Sequence, residues 1–387
     1  MQGRFSRGRS GGQSALAHPR ALRYASVMGI ISSLLLLASA QAAAEPLPAE
    51  IHNFGDWVVT CDNGLRCEAV SLAPDKVPTL VGEEPAANQE DINSWDVFGV
   101  MRMEREPAAA APLVITVSDF EGVPAKLLHY GEALDVRFER AGEDAWRIVV
   151  ADQKDFVDRF FSEPMVLQDA AGKTLAWLAT PGGRGALMYM EERQGRLRTA
   201  SSVIRPGRRP LSVIPTPPAV PVVQVAARTT ERPLTIPKRR LDAARREFGC
   251  TQEEIGAASA DESLAALGGG RTLLLMGCGA GAYNYSSLVL IATREGNAIR
   301  IVPARFDATR DPIEGEPDPK GFFVTNAEFD PATMSISEWA KGRGLGDCGT
   351  AATYAWDGQS FRLVEQKEMS ECRGTLELLT TWRAVRR

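Results

Sequence analysis

The chain has 387 residues, 44% of them hydrophobic, and its 44 basic residues are outnumbered by 49 acidic ones. This length and apolar content suffice to bury the cores of about two domains. The net charge of −5 repels nucleic acids and anionic lipid headgroups, which argues against a DNA-, RNA- or lipopolysaccharide-binding role.

The first 44 residues have the layout of a secretory signal peptide. A basic stretch ends at Arg20 and Arg23, an apolar run follows over residues 27–40, and small residues lead to Ala44. The run is shorter than the roughly 20 residues that a membrane-spanning helix needs. We therefore predict cleavage after Ala42 or Ala44, export to the periplasm, and a mature chain without a membrane span.

Residues 45–204 are predicted to form an N-terminal, mainly β domain. Residues 57–61 and 67–72 have strand composition and flank the tight-turn signal Asn63-Gly64. Residues 156–161 and 186–193 have apolar residues at helical spacing. An acidic loop is expected over residues 83–96. Further short strands are predicted at residues 97–103, 113–118, 134–138 and 146–150.

A Pro-rich linker is predicted over residues 205–240. This stretch contains eight prolines, and proline fits neither central strands nor helix interiors because it lacks an amide donor. The composition favours an extended, semi-rigid connection. The alternative is a segment strapped across one domain, with a single edge strand at residues 220–225.

Residues 241–387 are predicted to form a C-terminal β-meander domain. Residues 241–248 and 261–267 have helical patterns, and turn signals at 294–297 and Asp357-Gly358 mark two hairpins. The expected fold is thus mainly β with a few short helices: two antiparallel, sandwich-like β-sheet domains joined by the linker. Its strands are predicted at residues 271–278, 286–293, 298–303, 350–356 and 360–365.

Six cysteines are predicted to pair after export, because the periplasm is oxidising. Cys61 and Cys67 bracket the Asn63-Gly64 turn, which favours a bridge across the hairpin. For the other four we prefer the local pairs Cys250–Cys278 and Cys348–Cys372, and their other pairings stay open. Their spacing lacks the CxxC pairs typical of zinc sites, so no metal ligation is predicted.

A glycine-rich segment invites a cofactor interpretation. Gly277, Gly279 and Gly281 follow a predicted strand, as in loops that bind nucleotides or S-adenosylmethionine. Such loops run into a helix, whereas residues 285–303 predict a hairpin. We therefore interpret the glycines as a tight turn beside a disulfide and predict no cofactor.

No catalytic residue is predicted either. The mature chain would keep only His52 and His129, and an isolated histidine is more often a surface or core residue than a catalyst. A catalytic pair of carboxylates stays an open alternative, because the spacing of acidic residues along the chain does not fix their separation in space. The acidic stretch from Asp307 to Asp318 favours a solvated loop over a Ca²⁺ site, since it lacks the EF-hand pattern.

Four segments carry a family resemblance: 54–57 with Cys61 and Cys67, 186–196, 278–284 and 348–372. They resemble bacterial periplasmic proteins of the domain of unknown function 1176 family. The resemblance covers nearly the whole mature chain and implies a periplasmic location and disulfides, with no catalytic residue to carry over. The opening Gly-Asp-Trp-x₃-Cys also resembles invasion-associated locus B proteins, secreted factors of host-associated bacteria, over the N-terminal domain.

Export, paired cysteines and the lack of a catalytic motif favour a non-enzymatic module that binds a partner in the envelope or outside the cell. The partner and the oligomeric state are not predicted. Two alternatives stay open: an enzyme that uses carboxylates on peptidoglycan or another glycan, and a host-facing invasion-associated factor.

Overall fold

The computed structural model describes residues 47–73, 98–160, 164–250, 262–307 and 320–387. The predicted signal peptide and the acidic loop at 83–96 lie outside the described residues, as does most of the acidic stretch 307–318. We refer to residues 47–204 as the N-terminal part, 205–237 as the middle segment and 238–387 as the C-terminal part.

The N-terminal part is built on one large sheet, whose order is β1-β2-β3-β4-β11-β10-β6-β7, with β5, β9 and β8 extending from β4. Neighbours are antiparallel except β4 and β11, which run parallel. The strands are β1 (His52–Phe54), β2 (Trp57–Cys61), β3 (Cys67–Ser71), β4 (Phe98–Arg105), β5 (Val114–Ser118), β6 (Lys126–His129), β7 (Glu132–Ala133), β8 (Val136–Arg140), β9 (Trp146–Val150), β10 (Met165–Gln168) and β11 (Thr174–Leu178).

Two helices lie in the N-terminal part, α1 (Gln153–Phe160) and α2 (Gly183–Arg193). Leu187 and Met190 of α2 are fully buried in the core that one face of the sheet shares with this helix. Together with α3 (Lys238–Glu247), they are the α-helices of the described residues. None of these helices is long and apolar enough to span a membrane.

A buried ion pair fixes α2 to the sheet. The Arg105 guanidinium lies 2.6 Å from the Glu191 carboxylate, with side chains 2% and 0% exposed. Glu191 also accepts hydrogen bonds from the Val203 amide, at 2.7 Å, and from the Ser202 hydroxyl. Burial lowers the pKa of Arg105, and the attraction of Glu191 opposes that shift. Each buried charge therefore needs the other as its partner.

The C-terminal part contains two five-stranded sheets and one strand of a small parallel pair. The first has the order β13-β14-β15-β16, with β17 also on β15, and the second runs β18 to β22 in sequence. The strands are β12 (Val222–Val223) of the middle segment and β13 (Glu262–Gly268), β14 (Arg271–Ala280), β15 (Tyr285–Glu295), β16 (Ala298–Pro303), β17 (Phe322–Thr325), β18 (Glu328–Asp330), β19 (Ser335–Lys341), β20 (Gly349–Trp356), β21 (Phe361–Met369), β22 (Leu379–Arg383) and β23 (Val385–Arg386).

The apolar run of β14 is continuous because both of its faces are covered. Leu273 and Leu275 pack against the second sheet, in a core with Trp356 and Phe361. Leu274 and Met276, on the opposite face of β14, pack instead in a core that includes α3. Alternate side chains of a strand point to opposite faces, so a strand buried on both sides has no polar face. The prediction of a mainly β, largely antiparallel fold is confirmed.

The helix predicted over 261–267 is wrong, because this segment forms β13 and pairs antiparallel with β14. Its residues include good helix formers, but Gly268, Gly269 and Gly270 all have positive φ angles, from 61° to 81°. That glycine turn reverses the chain onto β14, and sheet pairing outweighs the weak local preference for helix.

The middle segment makes backbone contacts with the C-terminal part. β12 pairs parallel with β23. β12 lies within residues 220–225, where the alternative to a linker, a segment strapped across one domain, placed an edge strand. The Ala226 amide donates to the Trp356 carbonyl at 2.8 Å, and the Leu234 amide donates to the Thr272 hydroxyl at 2.8 Å. These contacts tie the segment to the C-terminal sheets.

The two parts share an apolar core. Val58, Val70 and Val100 on the second face of the N-terminal sheet pack with Met369 and Leu379. Residues 45–387 accordingly form one compact unit. The division into domains at 45–204 and 241–387 stays a prediction.

All three predicted disulfides are confirmed. Cys61–Cys67 crosses the β2–β3 hairpin, where the two residues are directly opposed. Cys250–Cys278 joins the end of the α3 region to β14, and Cys348–Cys372 joins the start of β20 to the chain after β21. The described residues contain no free cysteine.

Glu191→Ala is expected to lower the free energy of unfolding by about 3–5 kcal/mol, because it leaves the Arg105 charge buried without its partner. Urea titration measures the loss. Lys154→Ala is the control: it breaks an ion pair with Asp158 whose side chains are about half exposed, so it should leave the midpoint unchanged. Equal midpoints for the Glu191 variant and the wild type would contradict the structural role of the pair.

Candidate functional site

A cleft of about 1740 Å³ opens between the N-terminal and C-terminal parts. One wall comes from β3, β4, the end of β5 with the loop after it, and the start of β11. The other wall comes from β21, β22 and the loops at 345–347 and 374–378. We call this space the cleft.

The register of β3 and β4 concentrates charge on the sheet face that adjoins the cleft. Glu68 is directly opposite Glu104, and Val70 is opposite Arg102, so these side chains share one face of the sheet. The intervening residues Ala69 and Met103 point to the other face and are fully buried in the N-terminal core. Two opposed glutamates repel each other, and the arrangement therefore needs cations beside them.

Two arginines supply those cations. Arg66 lies 2.8 Å from Glu68 and 3.1 Å from Glu104, and Arg102 lies 2.9 Å from each of the same carboxylates. Arg102 also reaches across the cleft to Glu377 of the C-terminal part, at 2.6 Å. The network thus crosses from one wall to the other.

Glu68 is the centre of this network. Its side chain is only 1% exposed, and its Oε2 accepts a hydrogen bond of 2.9 Å from the Thr380 amide of β22. A buried carboxylate is costly unless it is paired and hydrogen-bonded. Two guanidiniums and one backbone amide meet that requirement here, and they come from both parts of the chain.

The residues that line the cleft carry an excess of negative charge. Burial by itself lowers the pKa of Arg102, but attraction to three nearby carboxylates outweighs burial, and the net effect is a raised pKa. Among the described residues, seven acidic and four basic side chains line the cleft. The cleft therefore favours cations over anions.

The rim on the C-terminal side is partly apolar. Leu345 and Leu376 are 69% and 64% exposed, and both line the cleft. Beside them, Asp347 is held by Arg343, at 2.5 and 2.7 Å, and by the Gly374 amide, at 2.8 Å. These contacts lower the pKa of Asp347 although burial alone would raise it. The rim thus combines fixed negative charge with exposed leucines.

The glycine-rich segment, His52 and two of the tryptophans do not line this cleft, and each has a place in the fold. Gly277 and Gly279 lie in β14, at a bulge beside Cys278, and the strand continues into the predicted hairpin. His52 packs against Tyr189, with ring centroids 4.6 Å apart and ring planes tilted by 43°. Trp57 and Trp356 are core residues, 0% and 1% exposed. The described residues hold no group of three or more potential metal ligands.

Sequence reasoning missed the cleft residues Arg66, Glu68, Arg102 and Glu377. The available signal was the sequence Met101-Arg-Met-Glu104, in which charged and apolar residues alternate along a predicted strand. Such alternation normally indicates a solvent-exposed face. Here that face meets a second part of the chain more than 200 residues away.

The segment 186–196, which carries part of the family resemblance, stabilises the fold through Arg196. Arg196 is fully buried and its guanidinium donates to the carbonyls of Glu106, Ala108 and Ala109 at 2.6–2.8 Å, and to Gln194 at 2.6 Å. Burial lowers the pKa of Arg196 to about 10, with a further contribution from Arg105. This segment anchors the chain after β4 and is not part of the cleft.

Comparison with known proteins finds a relative whose activity is uncharacterized. The uncharacterized protein YpfG of Escherichia coli (strain K12) is 27% identical over 329 residues, which span 82% of this chain and 88% of YpfG. No solved structure matches this chain significantly. The family model described as "Protein of unknown function (DUF1176)" matches residues 51–386. The chain therefore belongs to the DUF1176 family.

Proposed function

We propose that this protein is exported to the periplasm and acts there as a non-enzymatic binding module that takes up a basic peptide segment in the cleft. The observation that carries the proposal is the cleft itself: an open space of about 1740 Å³ lined by seven acidic and four basic described residues. A cleft lined by an excess of one charge raises the local concentration of ligands of the opposite charge.

The apolar rim supports a peptide over a simple cation. Leu345 and Leu376 are exposed at the entrance, and Phe98, Phe120 and Leu175 also line the cleft. A basic peptide brings apolar side chains as well as ammonium or guanidinium groups, so it can use both kinds of surface. Desolvation of the exposed leucines adds to the electrostatic attraction.

The ion network supports a binding role more than a catalytic one. Each of Glu68 and Glu377 is salt-bridged to Arg102. Both oxygens of each carboxylate already have partners within the chain, which are Arg66, Arg102 and Thr380 for Glu68, and Arg102 and Ser118 for Glu377. Glu68 and Glu377 therefore suit a fixed charged wall.

A carboxylate-dependent glycan hydrolase is the second candidate. It is motivated by the other acidic side chains that line the open cleft, since paired acids in a cleft are the machinery of glycoside hydrolysis. Turnover of peptidoglycan fragments by the purified protein would select this candidate. The resemblance to invasion-associated locus B proteins stays a prediction.

The binding proposal predicts that the protein binds a lysine-rich peptide containing leucine, and not its glutamate-substituted counterpart. Glu121→Gln with Asp144→Asn removes two exposed charges from the cleft lining and should weaken binding about tenfold at low salt, with a smaller effect at high salt. Isothermal titration calorimetry at two salt concentrations measures both effects.

The matched control is Glu139→Gln with Glu328→Gln. Both residues are exposed, neither lines the cleft, and the variant has the same change in net charge. It should bind like the wild type. Equal losses in the two double variants would show a nonspecific charge effect and contradict binding in the cleft.

The export proposal predicts that the full chain, expressed in a Gram-negative host, is released by osmotic shock. The intact mass of the released protein should correspond to a chain that begins at Ala43 or Glu45, and no cysteine should react with an alkylating reagent before reduction. Recovery of the uncleaved chain in the cytosol, with reactive thiols, would contradict export.

A further inference from the structure

The Cys348–Cys372 disulfide differs from the other two in its accessibility. Five of the six cysteines are buried, with at most 5% of their surface exposed. Cys372 is exposed. Exposed disulfides are the ones that thiols reach and reduce first, whereas buried ones resist attack. By residue exposure, this disulfide is therefore the most accessible of the three to a reductant in solution.

The bridge joins the two loops that form the C-terminal rim of the cleft. Cys348 ends the loop 342–348, which carries Leu345 and Asp347, and Cys372 lies in the segment 370–378, which carries Leu376 and Glu377. Apart from the disulfide, the two loops are connected by the hydrogen bond from the Gly374 amide to Asp347. The geometry of this rim therefore depends on the sulfur bridge.

The segment 371–377 also holds the C-terminal part against the N-terminal part. The Asn53 amide donates to Glu371 at 2.6 Å. Arg373 forms an ion pair with Asp56 and donates from Nε to the Ala73 carbonyl at 2.9 Å. These contacts flank Cys372 on both sides in the sequence.

The same segment reaches the charged network. Glu377 lies 2.6 Å from Arg102 and accepts a hydrogen bond of 3.4 Å from the Ser118 hydroxyl. Cys372 thus lies in the segment 371–377, which contacts β1 at one end and the cleft wall at the other. Breaking the Cys348–Cys372 disulfide therefore affects the contacts at both ends of this segment.

We infer that Cys348–Cys372 is a thiol-reducible latch that regulates ligand binding in the cleft. With the bridge closed, the loops 342–348 and 370–378 hold the rim in place, and with the bridge open they separate and ligand binding is weakened. This inference concerns the regulation of the proposed binding site and so rests on the proposed function.

The chemistry is thiol–disulfide exchange with a dithiol reductant. A thiolate of the reductant attacks Sγ of Cys372, the new S–S bond forms as the Cys348–Cys372 bond breaks, and Cys348 leaves as a thiolate that takes up a proton. The second thiolate of the reductant then displaces Cys372, which is also protonated, and the reductant leaves as its disulfide. The dithiol supplies both electrons.

The test begins with the oxidised mature chain under native conditions. The protein is treated with low concentrations of dithiothreitol, quenched with N-ethylmaleimide and digested, and mass spectrometry locates the alkylated cysteines. Cys348 and Cys372 should be labelled at least tenfold faster than the other four. Simultaneous labelling of all six cysteines would overturn the inference, because it indicates global unfolding.

The second measurement follows backbone hydrogen exchange in the selectively reduced and alkylated protein. Exchange in the segment 371–378 should accelerate at least tenfold, while β14 and β15 stay protected. The variant Cys348→Ala/Cys372→Ala should reproduce this change. The matched control Cys250→Ala/Cys278→Ala, which removes a buried bridge, should leave exchange of 371–378 as in the wild type. Unchanged exchange after reduction would overturn the latch.

The third measurement uses the lysine-rich peptide as the probe. Opening the bridge should weaken its binding about tenfold, and equal affinity in the oxidised and reduced proteins would overturn the regulatory role. If the oxidised protein does not bind the peptide, the proposed function fails. The latch is then judged by labelling and exchange alone, so the two failures are distinguishable.

Discussion

The architecture of this protein depends on the burial of one carboxylate, that of Glu68. Its side chain is almost inaccessible to solvent and is bound by Arg66 and Arg102 from its own sheet and by the Thr380 amide of β22. A buried charge with any of these partners missing is strongly unfavourable. Packing of the C-terminal part against the N-terminal sheet is therefore linked to completion of this network. The apolar contacts of Val70 and Leu379 lie in the adjoining core.

The same constraint produces the cleft. Apolar contacts bring the two parts together along β2 and β3, while charged residues of β3 and β4 line the adjoining cleft. Arg102 lies at this transition, 15% exposed and bound to acids from both walls. The result is a binding surface whose charges are fixed by the contacts that join the two parts.

The sequence predicted most of the fold but not the site. Trp57–Cys61, Trp146–Val150 and the disulfide Cys61–Cys67 follow from alternation and turn signals, which are local. Residues 261–267 were misassigned because local helix preference is weaker than pairing with β14. The site was missed because Glu68 meets Thr380 across 312 residues, and no local pattern encodes that contact. From sequence alone, charged residues on a strand indicate a face exposed to solvent. Only the structure shows that this face meets another part of the chain.

The central claim is that the charged network around Glu68 joins the two parts. A double-mutant cycle between Arg102 and Glu377 tests it most directly, because Arg102 binds Glu68 on its own side and Glu377 across the cleft. Arg102→Met, Glu377→Gln and the double variant are compared by urea unfolding. The account predicts a coupling of about 1 kcal/mol, modest because the Glu377 side chain is 35% exposed. Strictly additive effects of the two substitutions would contradict a network that binds the two parts together.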